Sequence, residues 1–307
     1  MRVAFFGTPA FAVPALRELL RRRLDVAAVI TQPDRPQGRS RSTLVRPPVT
    51  VAALDAGLTV LQPERPVGDV FTAGLRHLRL DLGVVVAYGH ILRPEVLAVP
   101  RLGMINVHAS LLPRWRGAAP IVWSILHGDA ETGVSIMQME AGLDSGPVLL
   151  RLRTAVADEE TGGQLAERLA ELGAEALGQA IERIAHGGAI GEAQDPAAAT
   201  YAPKIDRSLA HVAFGDGARA AARRIRAFDP APGAWATARG AAVKLFGARV
   251  VDGVGEPGTV IGAGQALVVA GGDDAVEVAE VQPAGKPRMA AAEWVRGRGV
   301  ATGDRFT

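Results

Sequence analysis

MINVHASLLPRWRG, Met104–Gly117, and AGLDSG, Ala141–Gly146, decide how this chain is read. The first opens as a short apolar run and breaks at Pro113, which marks a strand over Met104–His108 followed by a turn. Side chains alternate along a strand, so Asn106 and His108 share one face. Buried polar groups cost stability unless they are paired, so an amide, an imidazole and the nearby carboxylate of Asp144 need a reason to sit among apolar neighbours. A core histidine and asparagine satisfied by surrounding loops is the plainer reading. A turn carboxylate capping its own backbone is the plainer reading of Asp144. Taken together, the three suit chemistry at a carbonyl: a carboxylate holds an imidazole in one tautomer, and an adjacent amide N–H can stabilise an oxyanion.

Outward from this segment the first half alternates strands and helices. Residues 2–6 read as a buried strand, 7–9 as a turn and 11–22 as a helix with Phe11, Leu16, Leu19 and Leu20 toward the core. Strands follow at 26–31 and 82–87, then the 104–108 strand, a helix over 118–126 and a strand at 134–138. A further strand at 148–154 is expected antiparallel to its neighbour across the 142–146 turn. This order predicts an α/β fold with a doubly wound, mostly parallel sheet, whose ligand crevice lies at the carboxyl ends of the strands. Gly7 stands alone after the first strand, so the G-x-G-x-x-G turn that cradles a dinucleotide is missing.

Leu165, Leu169, Leu172, Leu177, Ile181 and Ile184 are spaced for one face of a helix that Gly187-Gly188 would stop. Residues 188–207 have weak periodicity and read as a linker between a domain over 1–187 and a second over 208–307. There a short helix, 216–227, leads into short strands at 243–246, 259–261, 266–269 and 276–281, which predicts a small antiparallel barrel of OB type.

The bulk properties narrow the function. A chain of 307 residues with 48% apolar side chains can bury two cores. It contains no Cys, so it has neither disulfides nor a thiolate nucleophile. No Ser stands in a nucleophile-elbow setting, so no covalent enzyme intermediate is expected. The six His show no metal-ligand spacing. No apolar run reaches the ~18 residues a membrane span needs, and the amino terminus has no signal-peptide pattern. A soluble, cytoplasmic monomer without membrane partners is expected.

Asn106-x-His108, Ser110–Gly117, Ala119-Pro120-Ile121, Gly128–Val134 and Gly142-Leu143-Asp144 resemble the formyltetrahydrofolate-dependent formyltransferases. Within that family Thr31-Gln32-Pro33-Asp34-Arg35-Pro36 with Gly38-Arg39 resembles the tRNA-contacting loop of the branch that formylates initiator methionyl-tRNA. Thr200-Tyr201-Ala202 with Lys204, Arg226-Ala227-Phe228 with Gly233-Ala234-Trp235, and Gln282–Lys286 resemble that branch's linker, barrel entry and carboxyl-terminal signature. The resemblance covers almost the whole chain.

It implies an attack by the methionyl α-amino group on the formyl carbon of 10-formyltetrahydrofolate. Asn106 would donate to the developing oxyanion, worth roughly 3–4 kcal/mol for a well-placed donor. His108 would stabilise that oxyanion or move the proton, and Asp144 would orient His108. Ser110, Leu111, Leu112 and Pro113 would hold the folate, with Val86, Tyr88, Gly89 and Ile91 on one side and Met139 and Gly142 on another. For the tRNA, Arg35, Arg39, Arg41 and Arg46 fall in one loop, opposed only by Asp34. Arg219 and Arg223 continue with Arg226 as a stripe at i, i+4, i+7, which fits either phosphate contact or a solvated helix face. Lys286 joins them. Net charge is only +2, all of it in residues 208–307, which predicts a few local phosphate contacts and modest salt sensitivity.

Two rivals remain. A formyltransferase acting on a nucleotide-sugar amine or on glycinamide ribonucleotide would share the Asn-x-His and Asp core. A non-catalytic RNA-binding protein would have no use for that core.

Overall fold

The computed structural model describes residues 1–37, 43–188 and 190–307. They pack as two compact units. The first takes Met1–Gly117, Thr132–Thr154 and Glu167–Tyr201, and the second takes Ala118–Glu131, Ala155–Ala166 and Ala202–Thr307.

The first unit is built on a seven-stranded sheet. Its order is Val148–Ala155, Glu131–Gln138, Met104–His108, Leu82–Val86, Arg2–Gly7, Asp25–Ile30 and Val60–Leu61. The last five are mutually parallel, as the alternating pattern predicts. Parallel strands covered on both faces should be apolar throughout. Leu82–Val86 is indeed buried at all five positions, and Arg2–Gly7 at all but the first. Glu131–Gln138 runs antiparallel to Met104–His108. It then forms a tight hairpin with Val148–Ala155: the Gln138 N–H donates to the Pro147 carbonyl at 2.9 Å, and Gly133 lies against the Leu152 carbonyl.

The first helix is shorter than the expected 11–22. It runs Val13–Arg21 behind a 3-10 turn at Ala10–Ala12, with Pro14 in its opening turn and Ala15, Leu16 and Leu19 buried. The long periodic helix runs Gly162–Ala185 and buries Leu165, Leu169, Leu177 and Ile181. No helix among the described residues is long and apolar enough to cross a membrane.

The second unit holds an antiparallel path of five strands: Ala234–Ala238, Ala241–Gly255, Gly272–Pro283, Leu267–Ala270 and Val260–Ala263. Met289–Ala290 adds to the Gly272–Pro283 strand. Two strands are far longer than the spacing of Gly and Asp suggests. The ladder continues from Ala248 opposite Val278 to Asp252 opposite Asp274 and then shifts register before Gly255, so those residues sit in a bulged strand rather than in turns. Residues 304–307 complete the barrel. Thr307 exchanges backbone bonds with Thr237 at one edge (2.6 and 2.9 Å), while the Val260 N–H donates to the Asp304 carbonyl (2.8 Å) at the other. Helix Ala218–Ala227 lays its buried Ala218, Ala221, Ala222 and Ile225 on this sheet.

Candidate active site

Strand alternation sets the two central residues. Asn106 pairs across Val85 on one side and Met137 on the other; His108 lies opposite Ser135, past the last parallel pair. Arg2–Gly7, Leu82–Val86 and Met104–His108 end side by side, so both groups stand at the carboxyl edge of the parallel strands, where ligands bind in this architecture. Asn106 is half-buried, and its carboxamide bonds to no other described residue. It is therefore a free donor on a rigid strand.

His108 is buried. Its Nε2 lies 2.8 Å from the Trp115 carbonyl, and its Nδ1 lies 3.7 Å from Asp144 Oδ2. Both ring nitrogens face oxygen acceptors. A neutral ring satisfies one of them and a doubly protonated ring satisfies both. Asp144 is half-buried with φ +48°, in the left-handed region a non-glycine residue seldom enters. Its Oδ2 accepts the Gly117 N–H at 2.8 Å, a partner 27 residues away. The carboxylate is thus spent on the 110–117 loop and on His108, where local sequence favours a bond within its own turn.

That loop is pinned along its length. Ser110 is fully buried; its Oγ donates to the Arg114 carbonyl (2.6 Å), and its own carbonyl accepts from Ser135 Oγ (2.7 Å). The same Ser135 hydroxyl accepts the Leu112 N–H (3.0 Å). The Trp115 N–H donates to Thr200 Oγ1 at 2.9 Å, and the Arg116 N–H donates to the Thr200 carbonyl at 2.9 Å. Gln194, also within the stretch read as a linker, bonds Arg116 and the 144–146 turn. Sequence reasoning missed Ser135, Thr200 and Gln194, because each works on partners 23 or more residues away. The Thr200-Tyr201-Ala202 pattern was the one signal near any of them.

The expected folate residues divide in two. Leu112 is buried with Met137 and Val148, and half-buried Met139 packs on them. Leu111 and Pro113 are half-buried, Gly142 is exposed and Ile91 is 86% exposed. Val86 and Tyr88 belong to the core: Tyr88 packs edge-on against Phe6, and burial pushes its phenol up to about 12. What Tyr88 offers outward is backbone, its carbonyl accepting from Thr8 Oγ1 (2.9 Å) and Gln32 Nε2 (3.2 Å). Gly89 takes φ +87° beside that same Gln32, a conformation suited to glycine.

Among the expected tRNA residues, Arg35 and Arg46 are exposed, the latter 3.8 Å from Asp34. Arg39 and Arg41 lie outside the described residues. The helix stripe is not uniform. Arg219 is exposed, whereas the Arg223 guanidinium packs on Gly128. Arg226 is half-buried, and desolvation lowers its pKa below the ordinary guanidinium value; its Nη1 donates to the Glu160 carbonyl at 3.4 Å. Lys286 is exposed at a turn.

An amide, an imidazole and a carboxylate at the carboxyl edge of a mostly parallel sheet suit chemistry at a carbonyl, and an antiparallel barrel follows that sheet. The formyl transferase family matches residues 1–181, and its C-terminal domain matches 204–299. A methionyl-tRNA formyltransferase of Geotalea daltonii is 43% identical over 307 residues, covering all of this chain and 98% of that protein. One from Magnetococcus marinus is 47% identical over 306 residues, covering 99% and 98%. The chain belongs to the methionyl-tRNA formyltransferase family. The fold is shared more widely. An N-formyltransferase from Helicobacter canadensis, solved with folinic acid and dTDP-3-aminofucose, superposes with a TM-score of 0.70 at 16% identity, covering 92% of this chain and 98% of that one. HypX from Aquifex aeolicus, solved with tetrahydrofolic acid, gives 0.69 at 18% identity, covering 95% of this chain but 46% of its own.

Proposed function

We propose that this chain transfers the formyl group of 10-formyltetrahydrofolate to the α-amino group of methionine on initiator tRNA, yielding formylmethionyl-tRNA and tetrahydrofolate for translation initiation. The observation that carries the reading is a free Asn106 carboxamide on the strand face it shares with His108, whose Nδ1 faces Asp144 at 3.7 Å. The amine nitrogen bonds to the formyl carbon, and the carbonyl oxygen takes the negative charge. Asn106 donates to that oxygen. As the oxyanion collapses, the bond from carbon to N10 breaks, and the proton leaving the amine ends on N10. His108 stabilises the oxyanion or carries that proton, and Asp144 orients it. No enzyme nucleophile is needed, since the substrate supplies the amine.

The Ser110–Pro113 turn, with Met139, Gly142 and the Val86–Ile91 segment, holds the folate; Val86 and Tyr88 act there as backbone and packing. Residues 1–187 carry the reacting groups, 188–207 link and, through Gln194 and Thr200, brace the 110–117 loop, and 208–307 bind tRNA with the 31–48 loop. Arg35, Arg39, Arg41, Arg46, Arg219 and Lys286 are its phosphate contacts, and Arg223, packed on Gly128, steadies the helix that carries Arg219. The protein works as a monomer in the cytoplasm.

The test is incubation with 10-formyltetrahydrofolate and methionyl-tRNA. Formylmethionyl-tRNA and tetrahydrofolate should appear in equal amounts. Formylation of a nucleotide-sugar amine or glycinamide ribonucleotide in place of methionyl-tRNA would assign the site to the rival substrates, and tRNA binding without product would reduce the protein to a binding module.

A further inference from the structure

Gln194 is buried between the pairing of Glu192 with Val148 and a 3-10 turn at Pro196–Ala198. A carboxamide offers two donors and an oxygen with two lone pairs, and in Gln194 all four are used. Oε1 accepts from Arg116 Nε (3.0 Å) and Nη2 (2.8 Å); Nε2 donates to the carbonyls of Asp144 (2.9 Å) and Gly146 (2.7 Å). The amide has one orientation only, because the flipped form would aim NH₂ at a guanidinium and oxygen at two carbonyls. Arg116 is 7% exposed, and no carboxylate among the described residues lies within ion-pair distance of it. A guanidinium taken out of water and given a neutral amide as partner is costly, so the arrangement calls for a reason beyond stability.

The reason lies at the other end of the amide. Gln194 grips the backbone of Asp144 itself, the non-glycine residue at φ +48°. Gly117, next to Arg116, grips the Asp144 carboxylate. Arg116-Gly117 therefore holds Asp144 twice, at the carboxylate directly and at the backbone through Gln194.

We infer that Gln194 is a positioning residue for formyl transfer: relayed from Arg116, it fixes the Asp144 turn so that the carboxylate stands at its place beside His108, and it touches no substrate. The inference rests on the proposed role of Asp144. Displacing a catalytic group by about 1 Å can cost up to ~100-fold in rate, so loss of the relay is expected to lower kcat about 10-fold or more with KM for both substrates within about twofold.

The test is a double-mutant cycle read in kcat. Gln194→Glu keeps an acceptor for Arg116 but has no N–H for the two carbonyls. It should slow the otherwise native enzyme about 10-fold and leave the Asp144→Ala background unchanged, because Gln194 acts through Asp144. An equal fold-loss in both backgrounds, or a loss confined to KM, would overturn the inference. If Asp144→Ala alone leaves kcat intact, the role of Asp144 fails instead, which is a separate result. Should Gln194→Glu not fold, the pair Arg116→Met/Gln194→Leu removes both partners with similar volume, the replacement that folding tolerates best. The same cycle applies, with thermal unfolding read on each sample.

Discussion

At the residue scale, what separates Asn106 from the other polar groups at the sheet edge is that its carboxamide has nothing to do in the folded protein. Ser110, Ser135, Gln194 and Asp144 are all committed to protein partners. A free donor on a rigid strand costs no reorganisation when charge develops beside it. Asn106→Ala should therefore lower kcat by about 10²–10³-fold. His108→Ala and Asp144→Ala should likewise reduce kcat strongly, and none of the three should change tRNA affinity more than about twofold. Single-turnover formylation alongside filter binding of methionyl-tRNA checks this, and parallel losses in both would contradict a catalytic role. Asn106 and His108 were legible in the sequence because a strand forces i and i+2 onto one face. Gln194 was not, since its partners lie 48 to 78 residues away and only the folded turn brings them to it.

At the element scale, the hairpin that presents Asp144 closes with almost no space. A Cβ on Gly146 would stand 1.9 Å from the Gln138 carbonyl oxygen, and one on Gly133 would stand 2.1 Å from that of Leu152. Both obstacles are backbone and cannot swing aside. On Gly142 the nearest atom is the Ser145 hydroxyl, which can rotate. Gly146→Ala should therefore cost about 3 kcal/mol, the upper range for forced overpacking, and remove activity with it. Gly142→Ala should fold normally; urea unfolding of the two variants makes the comparison. Helix Val13–Arg21 supplies a pH-dependent example. Glu18 bonds Arg21 (2.6 and 2.7 Å) and Arg22 (2.6 Å), and hydrogen bonding to these guanidiniums, Arg21 foremost, lowers its carboxyl below its ordinary 4.5. A depressed folded pKa gives stability that is complete above the unfolded value and is lost as pH falls through the folded one. Glu18→Gln should lower Tm at pH 7, and that effect should shrink as the pH falls below 4.5, with differential scanning calorimetry at a series of pH values as the measurement. Helices of this kind were legible from spacing alone. The long barrel strands were not, because Gly253 and Gly255 look like turn residues until a partner strand is laid beside them.

At the scale of the whole molecule, a net charge of +2 cannot hold a polyanion by its general field. Binding of tRNA then rests on individual contacts, each of which releases counterions and adds roughly 0.7–0.9 to the salt slope. The sequence offered Arg219, Arg223 and Arg226 as equals along one helix face, and folding separates them. Arg219 stands in solvent, while Arg223 covers Gly128 and Arg226 bonds the Glu160 carbonyl within its own unit. Helical spacing fixes the face a side chain leaves from. It says nothing of whether another segment of the chain will cover that face, and here residues 118–131 and 155–166 do. The two end positions should consequently respond in opposite ways. Arg219→Ala is expected to leave Tm unchanged, weaken tRNA binding at low salt and make the slope of log affinity against log salt shallower by about 0.7–0.9, one contact's share. Arg226→Ala is expected to lower Tm by removing a packed stem and a backbone bond, with the salt slope intact. Titrating methionyl-tRNA at several salt concentrations against both variants decides it. An unchanged slope for Arg219→Ala would take that arginine out of the interface and leave the loop around Arg35 and Arg46 to supply the phosphate contacts.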